Sequence, residues 1–343
     1  MNRYRIEKQD DGELAPVMKS AEIPGPPAAG EVLVKMRACS LNYRDLLMKS
    51  GKSASGGDDP VVPLSDGAGE IEAIGSGVTE FSVGDRVALT FFVEWQDGPF
   101  AMKYHKAARG GSCDGVLAEY VLAPAYSMVK LPDYLSFAEG ACLPCAAVTA
   151  WQGLFERGAP LSADQSVLCL GTGGVSIFAL QMAKAVGAKV IVTSSSEEKL
   201  QRARDEFAAD ETINYRENED WDKAVFSLTE KRGVDHVIEV GGPGTLEKSM
   251  NSIAAGGRIS MIGVLTGFEA PDISLFPLVA RAVDLCGIYV GNRAMFERML
   301  AFFSEHQIRP VIDRTFTLEE ATEAYAHLES GAHFGKVVIE MGA

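Results

Sequence analysis

The sequence has few cysteines and histidines, and neither residue type forms the cluster that a metal centre or a disulfide framework needs. Its six cysteines are scattered, and its five histidines form no HxxxH pair. Only Cys142 and Cys145 have the spacing of a metal or redox motif, and neither a second such pair nor a partner histidine accompanies them. We interpret both as small buried residues near a helix start, and we expect the reducing environment of the cytoplasm.

Basic residues are also scarce. The 32 Lys and Arg residues face 47 Asp and Glu residues, which gives a formal net charge of -15. Nucleic acids and anionic membranes both need a basic face, so we expect neither as a partner. No apolar run approaches the roughly 20 residues that span a bilayer, and the charged start from Met1 to Arg5 lacks the apolar segment of a signal peptide. A small molecule is the expected ligand.

A glycine cluster stands between a short apolar run and a helix-period pattern at residues 167–185. Gly171 and Gly173 allow a sharp turn, and the free N–H groups of the helix that follows attract a pyrophosphate. Ser176 stands where the G-x-G-x-x-G fingerprint has its third glycine. With a second apolar run that ends at Thr193, residues 166–193 have the size of one βαβ unit. The pattern predicts a dinucleotide site, and an ordinary glycine turn is the alternative.

Further apolar runs of buried-strand type follow at residues 234–240, 257–262 and 285–290. They alternate with helical patterns, which predicts an α/β fold with a doubly wound parallel sheet. Helical patterns cover residues 197–207, 221–231, 245–254, 293–307 and 317–328.

The first part of the chain differs, because short strands with glycine and proline punctuation predict a β-rich, barrel-like domain there. These strands are predicted at residues 32–36, 69–74, 85–89 and 118–122. A helical pattern from Ser136, with Glu139 as its capping-box partner, leads to the glycine turn, and a last strand is expected at 336–340. We expect a catalytic domain of residues 1–148 and 291–343, with a dinucleotide-binding domain of residues 149–290 inserted between its two parts.

Six segments together resemble the medium-chain dehydrogenase/reductase superfamily, and they occur in that family's order: 63–70, 83–87, 115–120, 143–151, 171–175 and 333–338. The resemblance implies a doubly wound parallel Rossmann sheet plus a β-rich GroES-like barrel domain, with the active site in a cleft between the domains. We expect the substrate pocket to be walled by loops at residues 49–60, 91–111 and 265–278.

The zinc enzymes of this superfamily hold a catalytic metal with a Cys, a His and a third Cys or acid. The matching positions here are Asn42, Ser65 and Cys145. A catalytic zinc needs three protein ligands, so we expect none. The segment 91–115, where those relatives carry four cysteines for a structural metal, has only Cys113. The chain is similar to the zinc-free quinone oxidoreductase-like branch, which has an Asn at the position of Asn42.

The resemblance implies that Asn42 lies near the nicotinamide, and we expect Asn42 and Tyr43 to act as hydrogen-bond donors in catalysis. The alternatives are that Asn42 only caps the helix at residues 43–49 and that Tyr43 only packs. Thr149 is expected to hold the carboxamide, although its hydroxyl could instead bond to its own helical turn. Asp45 and Asp66 are interpreted as solvated or paired surface acids.

The remaining residues of the expected cofactor site follow from the glycine turn and from the resemblance. They are Gly171, Thr172, Gly173, Gly174, Val175, Ser194, Ser195, Lys199, Tyr215, Gly241, Ile262, Gly263, Phe334, Gly335 and Lys336.

The cofactor is expected to be NADPH. An NAD-specific fold places an acid at the end of the second strand, whereas this chain has residues 193–196, Thr-Ser-Ser-Ser, at that point. Hydroxyls can donate to a 2′-phosphate, and Lys199 and Arg216 can supply positive charge. Tyr215 is expected to lie against the adenosine.

These features predict an NADPH-dependent, zinc-independent oxidoreductase that transfers hydride to a quinone or another α,β-unsaturated carbonyl compound. The alternatives are a zinc-free alcohol or aldehyde oxidoreductase and, outside enzymes, a nucleotide-binding redox sensor. The apolar strand at 285–290 is expected at the edge of its sheet, where it would pair with a second copy in a homodimer.

Overall fold

The computed structural model describes residues 1–9, 13–51, 61–269 and 272–342. The chain forms two compact units. The first consists of Met1–Val148 together with Val290–Ala343, and the second is Thr149–Tyr289. The expected pocket-wall segment 49–60 lies outside the described residues from residue 52 onward.

The N-terminal part of the first unit is mostly strands. Its strands are β1 (Asn2–Lys8), β2 (Leu14–Ser20), β3 (Glu31–Leu41), β4 (Asp66–Ile74), β5 (Arg86–Leu89), β6 (Tyr120–Pro124) and β7 (Met128–Lys130). Its helices are α1 (Tyr43–Lys49), two 3₁₀ helices (Met102–Ala107 and Ala125–Ser127), α2 (Phe137–Ala141) and a π-helical turn (Leu143–Ala147), after which α3 (Val148–Trp151) begins.

The second unit alternates strands and helices. After a π-helical turn (Gln152–Glu156) its strands are β8 (Ser166–Leu170), β9 (Lys189–Ser194), β10 (Glu211–Asn214), β11 (Val234–Glu239), β12 (Ile253–Met261) and β13 (Asp284–Gly287). Its α-helices are α4 (Gly174–Ala185), α5 (Glu197–Phe207), α6 (Trp221–Leu228), α7 (Pro243–Ser252) and α8 (Phe276–Ala280). The chain then returns to the first unit with α9 (Arg293–His306), β14 (Ile312–Thr317), α10 (Ala321–Glu329) and β15 (Lys336–Glu340).

The long strand β3 organises the first unit. In the main sheet the strand order is β14-β15-β3-β4-β5-β7, and β6 also pairs with β3. Apolar residues of β3, including Val32, Val34 and Met36, are fully buried, and Phe316 and Ile339 from the C-terminal segment join the same core. The two sequence-distant parts of the unit therefore share one hydrophobic core.

The six strands of the second unit form a parallel sheet in the order β10-β9-β8-β11-β12-β13. Every residue of β8 and of β11 is buried, as expected for central strands covered by helices on both faces. Chain order reverses between β8 and β11, and in open α/β sheets ligands bind at the carboxyl ends of the strands at such a switch point. The expected doubly wound parallel sheet is confirmed.

Some element boundaries differ from those expected. The strand predicted at 257–262 begins at Ile253, and that predicted at 285–290 ends at Gly287. Its residues are largely exposed rather than buried, because β13 is an edge strand. The helix predicted at 317–328 begins only at Ala321. Strands β1, β2, β7, β10 and β14 were not predicted.

The helical pattern from Ser136 starts as predicted and does not continue as one helix. The Ser136 hydroxyl accepts from the Glu139 backbone N–H, and the Glu139 carboxylate accepts from that of Ser136, so the capping box forms. The α-helix ends at Ala141 and a π-helical turn follows, where Pro144 has no N–H to continue the ladder. Within the described residues, no helix is long and apolar enough to cross a membrane.

Candidate functional site

The register between β3 and β15 brings Asn42 and Lys336 together. Leu41, at the end of β3, lies opposite Val337 on the antiparallel strand β15. Lys336, the first residue of β15, is 3% exposed, and its Nζ donates to the Leu41 carbonyl at 2.6 Å and to Asn42 Oδ1 at 2.5 Å. The ammonium group of Lys336 is therefore held inside the first unit, against the amide of Asn42.

The contact with Lys336 fixes which way the Asn42 amide points. A lysine ammonium can only donate, so the oxygen of the amide must face it and the NH₂ group must point elsewhere. Asn42 Nδ2 is buried, and no described residue accepts a hydrogen bond from it. Buried donors are almost always satisfied, so this N–H is available to an acceptor.

Asp66 lies beside this contact, fully buried rather than at the surface as predicted. Its Oδ1 accepts from Ser65 Oγ at 2.7 Å, and its Oδ2 accepts from the Cys145 backbone N–H at 3.1 Å. Lys336 Nζ is 3.9 Å from Asp66 Oδ2. The carboxylate is buried because two donors and one ammonium compensate its charge.

The three positions that match the zinc ligands of the relatives are occupied by groups that do not fit a metal. Asn42 offers its oxygen to Lys336, and Ser65 donates its hydroxyl to Asp66. Burial, and after it the charge of Asp66, raises the pKa of the Cys145 thiol. Cys145 is the one thiol among the three positions, whereas a catalytic zinc needs three protein ligands. The described part of the chain also contains no group of three or more His, Cys, Asp or Glu side chains placed to hold a metal.

Asp45 was also expected to be a surface acid, and it too is buried. It is in the first turn of α1, where its Oδ2 accepts from the Asn42 backbone N–H at 2.7 Å. Its other oxygen is 3.6 Å from the Arg44 guanidinium. Burial outweighs both contacts and raises the pKa of Asp45 to about 6.

Tyr43 occupies the first position of α1, directly after Asn42. Its side chain is 40% exposed, so it is not packed into a core. The amide of Asn42 and the ring of Tyr43 thus flank the same helix start, one held in place and the other accessible.

In the second unit, the predicted glycine turn lies at the switch point of the sheet. Gly171 follows β8 with φ of +73°, a conformation that favours glycine, and Gly173 is the N-cap residue of α4. Thr172 lies between them, and Gly174 and Val175 begin α4. Ser176 replaces the third glycine of the fingerprint without disrupting it, because its buried hydroxyl donates back to the Leu170 carbonyl at 2.6 Å.

The loop after β11 faces the same switch point and is held by a buried carboxylate. Glu239 Oε1 accepts from the backbone N–H groups of Gly241 at 2.8 Å and Gly242 at 3.0 Å, and from Thr245 Oγ1 at 2.7 Å. Its Oε2 accepts from Ser249. The full set of donors compensates for burying the charge, and it fixes the loop that contains Gly241.

Ile262 and Gly263 are fixed to the same strand end. Their backbone N–H groups both donate to the Glu239 carbonyl, at 2.8 and 3.2 Å. A Cβ on Gly263 would lie 2.0 Å from the Val240 carbonyl oxygen, so only glycine fits there. The structure thus brings Gly241, Ile262 and Gly263 together.

At the end of β9, Ser194 and Tyr215 are neighbours. The Tyr215 backbone N–H donates to the Ser194 carbonyl at 3.1 Å, and Ser194 Oγ accepts from the Ser196 N–H at 3.2 Å. Ser195 is half-buried, the Tyr215 side chain is exposed, and Lys199 lies in the first turn of α5. The Glu197 carboxylate forms an ion pair with the Arg204 guanidinium at 2.7 Å, which partly neutralises its negative charge.

Three further predicted residues are Thr149 in the second unit and Phe334 and Gly335 in the first. Thr149 is a buried residue of α3. Phe334 and Gly335 form the turn before β15, where the Phe334 N–H donates to Asp313 Oδ1 at 2.9 Å and His327 Nε2 lies 2.7 Å from Asp313 Oδ2. Gly335 has φ of +83°, and a Cβ there would lie 2.4 Å from the Val311 carbonyl oxygen.

Sequence patterns did not identify Glu239 and Asp313 as residues that shape the site. Glu239 is an acid at the end of an otherwise apolar strand and is followed by Gly241 and Gly242, which was an available signal. Asp313 had no comparable signal, because its role depends on the strand β14 that was not predicted.

Comparisons with known proteins agree with this architecture. The alcohol dehydrogenase GroES-like domain matches residues 28–133, and the zinc-binding dehydrogenase domain matches residues 174–305. The first match supports the expected GroES-like domain, and together the two models cover most of the chain.

Full-length relatives are found among several kinds of oxidoreductase. A zinc-type alcohol dehydrogenase-like protein of Schizosaccharomyces pombe is 43% identical over 99% of each chain. A quinone oxidoreductase of Lama guanicoe is 30% identical over 99% of this chain and 97% of its own. Among solved structures, an NAD-dependent alcohol dehydrogenase is 30% identical, with a TM-score of 0.88 over the whole of both chains.

The raised pKa of Asp45 predicts a pH-dependent stability. Between about pH 4 and pH 6 the folded protein binds more protons at this site than the unfolded chain, so the unfolding free energy falls as pH rises. Replacing Asp45 by Asn removes this loss, which amounts to about 3 kcal/mol at most. Chemical denaturation at a series of pH values should show that the unfolding free energy of Asp45→Asn increases relative to that of wild type as pH rises.

Asp85 provides a control of opposite sign, because its hydrogen bond with Lys130 lowers its pKa. Asp85→Asn should become less stable relative to wild type as pH rises towards about pH 4, and its stability difference from wild type should stay nearly constant between about pH 4 and pH 6. A difference between Asp45→Asn and wild type that does not change with pH would show that Asp45 titrates normally.

Proposed function

Because the chain belongs to the medium-chain dehydrogenase/reductase superfamily and is an NAD(P)H-dependent oxidoreductase, we propose that it transfers hydride from NADPH to a quinone or another α,β-unsaturated carbonyl compound without zinc. One observation carries this proposal. Where the metal-bearing relatives place zinc ligands, this chain has a buried, unpaired amide N–H donor on Asn42.

The missing metal site limits the chemistry. Reducing a saturated ketone creates an alkoxide, which needs a Lewis acid or a strong proton donor. Hydride addition to a quinone or to the β-carbon of an enone instead spreads the charge over a phenolate or enolate, which positioned hydrogen-bond donors can stabilise. Asn42 Nδ2 and the Tyr43 hydroxyl are the donors that we assign to the substrate oxygen.

The unit Thr149–Tyr289 would hold the dinucleotide, and the first unit would supply the catalytic donors. Backbone N–H groups from Gly171 to Val175 open a helix, which suits a pyrophosphate. The loops fixed by Glu239 would hold the nicotinamide half, and Thr149 the carboxamide. When bound, the cofactor supplies the hydride, and the chain's residues orient it and donate to the product oxygen.

The preference for NADPH is argued from the end of β9. Hydroxyls of Ser194 and Ser195 stand where an NAD-specific fold has an acid, and Lys199 follows in the next turn. The acid of Glu197 is already paired with Arg204, which weakens its repulsion of a 2′-phosphate. Tyr215 is exposed beside Ser194, in a position to cover the adenosine.

The names of the relatives also support an alternative, a zinc-free alcohol or aldehyde oxidoreductase. Two of the three relatives compared above are described as alcohol dehydrogenases or alcohol dehydrogenase-like. The quinone oxidoreductase supports the proposed substrate class. We propose the conjugated acceptor first because the residues at the zinc-matching positions make hydrogen bonds within the protein, Asn42 with Lys336 and Ser65 with Asp66.

We also propose that two copies associate through the edge strand β13. Strand β13 is at the end of its sheet, and large exposed apolar side chains occur in β13 and in the segment that joins it to β12. They are Leu265, Phe268, Leu275, Phe276, Val279 and Leu285. A second copy would cover both the edge and these side chains. The cytoplasm fits the free cysteines found in the described residues.

The first prediction for this function concerns the donors. Asn42→Ala should lower kcat for cyclohexenone and benzoquinone by about 10²-fold, and Tyr43→Phe should also lower it, because each removes a donor to the developing oxyanion. Tyr126→Phe is the matched control, since Tyr126 is also 40% exposed but donates to Glu94. Steady-state assays should show saturated ketones reduced more slowly and full activity after dialysis against a chelator. Activity that chelation abolishes and zinc restores would contradict the proposal.

The second prediction concerns the cofactor. Wild type should show a higher kcat/KM with NADPH than with NADH, and Ser194→Asp should lower the NADPH value by about 10- to 100-fold, the usual worth of a hydrogen bond to a charged group. Ser227→Asp, on an exposed face of α6, is the control for added charge. Equal kcat/KM values for the two cofactors in wild type would refute the preference.

The third prediction concerns assembly. Light scattering at micromolar concentration should give the mass of a dimer, and Val279→Lys should shift it towards the monomer by placing a charge in the apolar contact. Val83→Lys is the control, since Val83 is a similarly exposed valine of the first unit. Replacing Ile288 would be a poor test, because its N–H donates within its own sheet to the Met261 carbonyl at 2.9 Å. A monomeric wild type would end the dimer proposal.

A further inference from the structure

We propose that Lys336 is a positioning residue for catalysis, which acts through Asn42 rather than through the cofactor. The inference rests on the proposed function, and it changes the role of a residue that the sequence placed in the cofactor site. Its basis is the pair of short hydrogen bonds from Lys336 Nζ to the Leu41 carbonyl and to Asn42 Oδ1.

Burial restricts what Lys336 can do. At 3% exposure its ammonium group has little access to solvent, and two of its three N–H donors are used by Leu41 and Asn42. Lys336 Nζ also lies 3.9 Å from Asp66 Oδ2. These contacts leave at most one N–H of Lys336 for a cofactor phosphate.

Backbone pairing holds the ammonium in place. Lys336 begins β15, its N–H donates to the Val311 carbonyl at 2.9 Å, and the next residue pairs with Leu41. The side chain therefore extends from a strand fixed on both sides, β14 and β3, and reaches the residue that follows β3. Few rotamers remain for it, so Asn42 meets a donor in a fixed position.

The ammonium has two effects on the Asn42 amide. It permits one orientation of the amide, with the oxygen towards Lys336 and the NH₂ group away from it, because the flipped amide would oppose two donors. It also polarises the amide through a charge-assisted hydrogen bond, and linked hydrogen bonds strengthen one another. Nδ2 thereby becomes a better-aimed and stronger donor to an enolate or phenolate oxygen.

Asp66 has a supporting role in this arrangement. Its carboxylate compensates the buried charge of Lys336, and Ser65 and the Cys145 N–H fix the carboxylate in turn. The contacts from Ser65 through Asp66 and Lys336 to Asn42 thus connect two of the three positions that match the relatives' zinc ligands.

A double-mutant cycle tests whether Lys336 acts through Asn42. The variants are Lys336→Met, Asn42→Ala and the double variant, and the readout is the single-turnover rate of NADPH oxidation with cyclohexenone, together with KM and thermal stability. We expect Asn42→Ala to lose about 10²-fold and Lys336→Met about tenfold in rate, with KM for NADPH changed little. In the Asn42→Ala background, Lys336→Met should cause no further loss.

The outcomes separate the two proposals. An Asn42→Ala variant as fast as wild type would overturn the proposed donor role. A loss from Lys336→Met that is equally large with and without Asn42 would overturn the positioning role alone, as would a change confined to KM for NADPH. Lys130→Met, whose half-exposed ammonium pairs with Asp85, is the control and should keep the wild-type rate.

A second version of the cycle keeps the test decisive if Lys336→Met leaves Asp66 unpaired and the protein fails to fold. In the Asp66→Asn background the removal of Lys336 no longer leaves a buried charge without a partner. The same loss of additivity between Asn42 and Lys336 is expected there, and additive losses would again refute the inference.

Discussion

The antiparallel pairing of β3 with β15 is the contact on which the candidate catalytic site depends. It joins residues about 300 positions apart and carries Lys336 to the residue that follows β3. Because a strand register is set by alternating burial and by continuous hydrogen bonds, a shift of one residue would turn Lys336 to the opposite face. The position of one ammonium group therefore follows from the packing of a whole sheet.

Buried charge is used in the same way in both units. In the first, Asp66 and Lys336 lie beside each other and fix Asn42. In the second, Glu239 is compensated by four donors, two from the loop that follows β11 and two from α7. Burying either carboxylate costs free energy. The hydrogen bonds that compensate its charge also make a loop or a side chain rigid. The expected substrate oxygen and cofactor would each meet groups that are already in place.

The zinc independence that we propose is connected with these contacts. The side chains at two of the three positions that match the zinc ligands, Asn42 and Ser65, make contacts that a metal would break. At the third position, the backbone N–H of Cys145 donates to Asp66. A hydrogen-bond donor stabilises negative charge on a substrate oxygen less than a metal ion does. This weaker stabilisation suffices for an acceptor that delocalises its charge. The chemistry proposed for the protein follows from having a hydrogen-bond donor in place of a metal ion.

The sequence alone determined the alternation of strands and helices in the second unit, the glycine turn at Gly171 and the replaced zinc positions. The first two are local features, because periodicity and short motifs act over neighbouring residues. The zinc positions followed from the resemblance to the superfamily. It misjudged Asp45 and Asp66 as surface acids, since burial depends on which distant groups neutralise a charge. Only the tertiary structure decided the positions of Lys336 and Asp66 beside Asn42, and the role of Glu239. Each of these depends on pairing between strands or loops far apart in the chain, which no local pattern records.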